Sequence, residues 1–550
     1  MFASTILKNP PLKLSSGRTA RLFYDSRTKN DTIFAPSTHI ASPGGSPLGV
    51  IRVSGSKTCQ VCEQMTRRTP LRIRSTKDLI KKKTIQPREA TLTRFLAPET
   101  DELIDIGLTL WFPGPHSYTG EDVSEFHLHG SQAIMRSILT NLGKISGLRP
   151  AEPGEFTRRA VLNKKLTLMQ AESLLDLISS NTESQRRLAL KGLGGSTRLK
   201  YESWIQALIR ILAHLEASID FGEDELIGEV SVVNKCLLDI RKLSEEIASF
   251  IEVSSRCRNY VRSGFKIAIL GKPNVGKSTF MNVLCKQDKS IVADLSGTTR
   301  DVIEHSFELG GHALTICDTA GLRDLPDDAP SQTLLQLHDL VEREGIRRAL
   351  EAAKGADLVL YLIDGSNLKG HDTDLNDIIE ELSNVSRVLG VGSKPRVINL
   401  VINKIDLCES AINMNGMVSK LRSALIANSI MGTSIDISLI SCATLENINS
   451  LVSQITSNLK SLISNAQSTK IDLKESKIES SNSDYVNERH LSLLTSTQKH
   501  LQQASEMDMS TIDHLAQHVR ESVGYLSLIV GSVTNDRVID IIFRDFCIGK

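Results

Sequence analysis

The sequence predicts an α/β fold combined with an all-α bundle, and three observations carry that expectation. Gly271–Ser278 (GKPNVGKS) has the spacing of a phosphate-cradling glycine loop. It lies between a strand-length apolar run, Phe265–Leu270, and a helical face made by Phe280, Met281, Val283 and Leu284. Two more buried-strand runs, Ala356–Ile363 and Val397–Ile402, alternate with helical patterns, the order of a doubly wound sheet. Long amphipathic runs flank that region: Leu166–Leu190, Tyr201–Ile219 and Val232–Val253 before it, and Arg489–Lys550, including Asp536–Phe546, after it.

At 550 residues the chain is too long for one core. Its 40% hydrophobic and 23% charged content is that of a globular protein without membrane-length apolar runs. A net charge of +1 gives no global attraction for nucleic acid, so RNA binding requires a local patch. Nine scattered cysteines, an odd number without framework spacing, indicate a reducing compartment. Cys59 and Cys62 form a lone CxxC with no second pair, so no zinc or redox site is expected there.

Residues 1–30 carry Lys8, Lys13, Arg18, Arg21, Arg27 and Lys29 against one acid, Asp25, with serines interspersed. That composition predicts a mitochondrial presequence and import to the matrix. Thr32–Phe34 and Leu48–Val53 read as strands around a loop, Ser42–Pro47. The basic stretch Arg67–Arg88 lacks interleaved aromatics and reads as a solvated face rather than an RNA patch. Ile104–Phe112 alternates like a strand. It is followed by Phe112–Gly130, where His127 and His129 share a strand face near His116 without a common zinc spacing. Pro153–Asn163 opens the helical stretch. Val302–Leu309 and Ala313–Cys317, joined through Gly310-Gly311, form a hairpin signal. Ser461–Asn487, rich in Ser, Lys, Glu and Asn, reads as a linker.

The motifs in the middle region specify a nucleotide. Backbone N–H groups of Asn274, Val275, Gly276, Lys277, Ser278 and Thr279 can face phosphates. Lys277 reaches the β- and γ-phosphates and Ser278 ligands Mg²⁺. Asp318-Thr319-Ala320-Gly321 ends a strand, where an aspartate holds the Mg²⁺ water shell and a glycine N–H senses the γ-phosphate. Asn403-Lys404-Ile405-Asp406 supplies a carboxylate for guanine N1 and N2, a donor pair adenine lacks. Ser441-Cys442-Ala443 occupies the last base-contacting loop. Gly297-Thr298-Thr299-Arg300-Asp301 lies where a switch loop belongs, with Thr299 able to ligand Mg²⁺. Leu322 occupies the position at which Ras-like GTPases orient water with glutamine. The Asn274 side chain can instead bind a monovalent cation such as K⁺ beside the phosphates, or serve only as a turn residue.

Taken with SYTGEDVSEFHLHG, PGEFTRRAVLNKKLTLMQAES, DTAGLR and the terminal FCIGK, these motifs resemble the MnmE (TrmE) family of tRNA-modifying GTPases, its mitochondrial members in particular. The resemblance covers most of residues 31–550. It implies a presequence at 1–30 and an N-terminal α/β domain at 31–150 that binds folate and forms a homodimer. It implies a discontinuous helical domain at 151–263 and 463–550, with a Ras-like G domain inserted at 264–462. It places 5-formyl-tetrahydrofolate, or a related one-carbon folate, on Arg52, Glu125, Lys165 and Lys550. It places K⁺ on Asn274, Thr298 and the carbonyls of Ala293 and Leu295, within the loop Ala293-Asp294-Leu295-Ser296-Gly297-Thr298-Thr299. Ser278 and Thr299 hold Mg²⁺, Glu342 orients water, and Cys547 serves modification rather than hydrolysis. Residues after Leu322 lengthen the segment before Glu342, and Cys442 replaces an alanine. Family members act with an MnmG-type FAD protein on carbon five of the wobble uridine, here of mitochondrial tRNA, without membrane insertion. The competing reading is an Era/Der-like ribosome-assembly GTPase, which would end in an RNA-binding domain. A membrane-remodelling GTPase would need a basic amphipathic anchor.

Overall fold

The computed structural model describes residues 31–38, 46–70, 84–221, 226–287, 304–317, 353–368, 376–383, 397–408, 414–427, 435–464, 485–507, 511–532 and 549. The chain forms two compact units, residues 1–175 with 530–550, and residues 176–529.

In the first unit, alternation of apolar and polar residues builds a sheet with two different faces. Its strands are β1 (Thr32–Pro36), β2 (Ser46–Ser54), β3 (Thr91–Leu96), β4 (Leu103–Phe112), β5 (Val123–Gly130) and β6 (Leu148–Pro150), in the order β3-β4-β5-β2-β1-β6. Neighbours run antiparallel except β1 and β6. Ile51, Val53, Phe126 and Leu128 pack against Val61 and Met65 of α1 (Thr58–Thr66) and Ile138 and Leu142 of α2 (Gln132–Lys144). Full burial of one such side chain contributes about 1.5–3 kcal/mol. The residues in between, Arg52, Glu125 and His127, therefore stand on the opposite face. There Ile33, Ala35 and Ala151 pack with Phe156 of α3 (Glu155–Leu162). The segment after residue 150 thus begins as part of this sheet's packing, because Phe156 is fully buried there, and not as the opening of the helical bundle.

In the second unit, helices precede and follow a doubly wound sheet. After α4 (Leu168–Ile178), which spans the division between the units, come α5 (Glu183–Gly194), α6 (Ser196–Phe221) and α7 (Leu226–Ser263). The sheet contains β7 (Phe265–Gly271), β8 (Glu304–Leu309), β9 (His312–Cys317), β10 (Leu358–Asp364), β11 (Val397–Asn403) and β12 (Ile435–Leu439). Their order is β8-β9-β7-β10-β11-β12, parallel apart from the β8–β9 hairpin. One face buries Phe280 and Leu284 of α8 (Lys277–Gln287) and Leu451, Ile455 and Leu459 of α10 (Ile448–Ser464). The other buries Met417, Leu421 and Leu425 of α9 (Met414–Ala427). Helices on both faces explain why the parallel strands are continuous apolar runs.

The helices after the sheet return to those before it. His490 of α11 (Glu488–Ser505) stands edge-on to Tyr201 of α6 at 5.9 Å, and Trp204 of α6 stands edge-on to Phe250 of α7 at 5.2 Å. The Arg489 guanidinium donates to the Leu528 carbonyl of α12 (Ile512–Val530) at 3.0 Å. The bundle is therefore discontinuous, as expected. Two loop expectations change. Ser46 and Pro47 belong to β2, not to the preceding loop. The expected linker 461–487 is structured at both ends: α10 runs through Ser464, Tyr485 and Val486 are buried, and the Asn487 side chain caps α11. The Tyr485 hydroxyl donates to Asp176 at 2.6 Å, so one aromatic anchors a stretch whose mean composition is polar. Among the described residues no helix is long and apolar enough to cross a membrane. The expected helix 536–546 lies outside the described residues.

Candidate functional site

The nucleotide motifs converge at the ends of three adjacent parallel strands, β7, β10 and β11. Between β7 and α8 the loop reverses through Gly271 at φ +145°, Asn274 at φ +63° and Gly276 at φ +97°. A methyl group on Gly276 would sit 2.5 Å from the Asn403 amide nitrogen, so this turn requires glycine for backbone angle and for space. Lys277 Nζ donates to the carbonyls of Gly271 and Lys272, both at 2.8 Å, so the ammonium lies inside the loop. Ser278 and Thr279 occupy the first turn of α8, where unpaired backbone N–H groups and the helix dipole favour an anion.

Asn403 ties this loop to the base-reading loops. Its buried amide donates to the Val275 carbonyl at 2.9 Å, and its oxygen accepts from the Cys442 N–H at 3.1 Å. Lys404, in a left-handed conformation, donates to the Asn274 carbonyl at 2.8 Å and to Asp364 at 2.6 Å. Burial opposes the charge on Asp364, yet hydrogen bonds from Lys404 and Ser366 outweigh it and hold the carboxyl below its usual range. Asp364 ends an apolar strand and is a candidate that motif reading missed, its signal being one acid at a strand end beside the glycine loop. Asp406 is exposed at the tip of a short 3₁₀ turn, Ile405–Leu407. Ser441 is buried, and its hydroxyl accepts from the Thr444 N–H at 3.1 Å; Ala443 is exposed. Burial, then the nearby Asp406 charge, pushes the Cys442 thiol up to about 11, so it is a neutral packing group.

In the first unit, Arg52 and Glu125 face each other across β2 and β5. The guanidinium donates twice to one Glu125 oxygen, at 2.8 and 3.1 Å, and lies 5.1 Å from the Tyr118 ring centroid and 5.8 Å from that of Phe156. The two side chains remain 18% and 20% exposed, so a ligand can reach the pair. The Tyr118 hydroxyl and the Thr157 hydroxyl share a hydrogen bond of 2.7 Å, and burial raises the phenol's pKa. Lys165 is exposed and borders Gly120 of the same loop. Gly549 is buried at the end of β1. Its carbonyl accepts from the Ser37 hydroxyl at 3.4 Å, and a Cβ there would strike the Pro36 carbonyl. Ala35, one residue before Pro36, is the register partner of Arg52. Arg52, Glu125 and Gly549 thus lie in one region of one sheet, and Tyr118 and Phe156 join a set that motif reading had left without them.

His127 lies 3.4 Å from Glu125 and His129 lies 2.8 Å from Asp105, and among the described residues no three His, Cys, Asp or Glu side chains group as a metal site. Cys62 is fully buried, 3.0 Å from the Ser124 hydroxyl, and burial pushes its thiol up to about 12. Ala293, Asp294, Leu295, Ser296, Gly297, Thr298, Thr299, Asp318, Thr319, Ala320, Gly321, Leu322, Glu342, Cys547 and Lys550 lie outside the described residues.

Two family models match the chain. The model of the GTP-binding protein TrmE N-terminus covers residues 32–165, and that of the MnmE helical domain covers residues 168–547. The chain is 34% identical over 552 residues to the mitochondrial 5-taurinomethyluridine-[tRNA] synthase subunit GTPB3 of Danio rerio, covering 100% of both chains. It is 33% identical to the Homo sapiens protein of the same name, covering 94% of this chain and 93% of that one. It is also 33% identical to the tRNA modification GTPase MnmE of Rhodospirillum rubrum, covering 94% and 99%. These matches do not favour the ribosome-assembly reading. The strand-end nucleotide loop, the Asn403–Asp406 base loop and the two matched segments lead to one assignment: this chain belongs to the MnmE family of tRNA modification GTPases.

Proposed function

We propose that this protein hydrolyses GTP in a K⁺-stimulated reaction. With an MnmG-type FAD protein, it uses a one-carbon folate to modify carbon five of the wobble uridine of mitochondrial tRNA, in the matrix. The observation that carries the GTP reading is Asn403, whose side chain joins the phosphate loop at Val275 to the base loop at Cys442, with Asp406 exposed beside them. Lys277 would shift from the loop carbonyls to phosphate oxygens, and Asp406 would accept from guanine. Ser278 is an oxygen donor suited to Mg²⁺, which would neutralise charge between the phosphates. Asn274 offers an exposed amide oxygen for K⁺, while its own carbonyl is held by Lys404. The other proposed Mg²⁺ and K⁺ contacts, Thr299, Thr298, Ala293 and Leu295, fall on the loop from 293 to 299, and the water-orienting role falls to Glu342.

The Arg52–Glu125 region suits a folate by the chemistry of its donors. A carboxylate accepts from the pterin's N–H groups, a guanidinium and Lys165 meet carboxylates, and aromatic rings flank the pair. The folate would supply the one-carbon unit, and Cys547 and Lys550 are the further residues assigned to this chemistry. An outward apolar strip on the same sheet, Leu92, Ile106 and Leu108, supports homodimerisation through this unit.

The test is single-turnover GTP hydrolysis in K⁺ against Na⁺, together with mass spectrometry of mitochondrial tRNA nucleosides from a deletion strain. K⁺ should accelerate hydrolysis and Asn274→Ala should abolish the difference. Glu342→Ala should slow the chemical step by a factor on the order of 10²–10⁴. Equal wild-type rates in the two salts would remove the cation from the mechanism, and unchanged wobble uridines would remove the tRNA function.

A further inference from the structure

The β8–β9 hairpin has a chemical identity at each end. Residues 297–301, the switch segment, end two residues short of β8, and Asp318 immediately follows β9. The opposite end, the Gly310–Gly311 tip, meets the first turn of α5. A helix start leaves its first N–H groups without intrahelical partners. In α5 the hairpin takes two of them: Glu183 N–H donates to the Glu308 carboxylate at 3.1 Å, and Ser184 N–H donates to the Gly311 carbonyl at 2.9 Å. The third, Gln185 N–H, is taken by Thr182, which completes a capping box. The Gln185 amide then donates to the Val261 carbonyl in the last turn of α7, at 3.0 Å. Two residues beyond α7's end begins β7, which runs into the phosphate loop. Tyr260 of α7 stacks on Phe265 of β7, with centroids 4.5 Å apart. One helical turn therefore grips both elements that lead into the nucleotide site.

We propose that the first turn of α5 is the joint through which the nucleotide state and the helical bundle bias each other, with Glu308 and Gln185 as its positioning residues. It rests on the proposed GTPase function and on the movement reading, that switch segments reorder when the γ-phosphate is gained or lost. A shift of the switch segments displaces the hairpin along its length, and the hairpin tip then tightens or releases two amides of α5. Linkage makes the effect reciprocal: whatever the bundle binds alters nucleotide affinity by the same factor. Neither residue belongs to the loops assigned to the nucleotide, so removing one should separate coupling from chemistry.

The experiment is hydrogen exchange of the full chain, following peptides that cover residues 180–190 in GDP and in a non-hydrolysable GTP analogue. In the wild type, exchange of the α5 amides should differ by ~5-fold or more between the two states, the lower end of common coupling factors. Glu308→Ala should erase that difference while leaving GTP affinity and single-turnover hydrolysis within about 2-fold, below the usual coupling range. Glu308→Gln keeps an acceptor oxygen and should restore most of it, which a merely misfolded variant would not do. A wild type whose exchange across the whole second unit is identical in both nucleotides overturns the movement reading and this proposal with it. A wild type that responds elsewhere in the unit but not at 180–190, or a Glu308→Ala protein that keeps the full α5 difference, overturns the proposal alone.

Discussion

The two sheets build their sites in opposite ways. The second unit places its site at the ends of parallel strands, where loop backbone and helix N-termini supply the binding groups and glycines give them room. The first unit places its candidate site in the middle of antiparallel strands, where side chains of neighbouring strands meet across a register. A strand-end site depends on backbone angles, so one added methyl can ruin it. A mid-strand site depends on side-chain identity, and its backbone tolerates the loss of a partner.

Four measurements bear on that contrast, in order of expected size. Gly276→Ala forces alanine to φ +97° and against the Asn403 amide. Strain of ~1–3 kcal/mol and a displaced buried amide worth a similar amount should raise the Kd for GTP by roughly 30-fold or more. Titration calorimetry showing wild-type affinity would mean that the loop is not backbone-limited. Asp406→Asn replaces one acceptor oxygen with a donor and should weaken GTP by ~1–3 kcal/mol while favouring xanthosine triphosphate. Unchanged GTP affinity would take guanine reading away from Asp406. Glu125→Ala should abolish folate binding, leave GTP hydrolysis intact and lower stability by only about 1 kcal/mol, because the pair is partly solvated. A folded variant with normal folate affinity would refute the mid-strand site.

The smallest effect belongs to the bundle, in a polar pair with no assigned ligand. His500 and His518 join α11 to α12 through a 3.0 Å contact between ring nitrogens, with His514, Glu521 and Tyr525 around them. Burial, then the His500 and His514 charges, hold the His518 pKa below its ordinary value. The folded state thus disfavours the proton, so this contribution is present above about pH 6.5 and is lost as pH falls through the depressed value. Thermal melts should decline on acidification over that window, and less steeply for His518→Gln. Identical slopes would show that the pair does not titrate with unfolding.

The contrast also explains what the sequence revealed. GKPNVGKS, NKID and SCA were legible because each binding group sits within a few residues of the next, and the apolar runs around them can only be buried strands. Arg52 and Glu125 are 73 residues apart, and only register pairs them, so they entered through resemblance and not through spacing. Asp364 went unnoticed because an acid at a strand end has meaning only once Lys404 is seen to reach it. The start of the bundle was set too early because a helical period does not say which layer the helix covers. Phe156 covers the first sheet.

The contact between Ser37 and Gly549 joins positions 512 residues apart. On a ribosome, β1 emerges near the start of synthesis, whereas the glycine that seats against it is among the last residues of the chain. The strands of the first unit can pair as soon as residue 150 is made, but the unit also includes residues 530–550, and the contact at Pro36 and Ser37 is of the most non-local kind. A nascent chain stalled between residues 464 and 549 holds every strand of both sheets but lacks the glycine that seats against Pro36, so GTP binding should mature before that contact does.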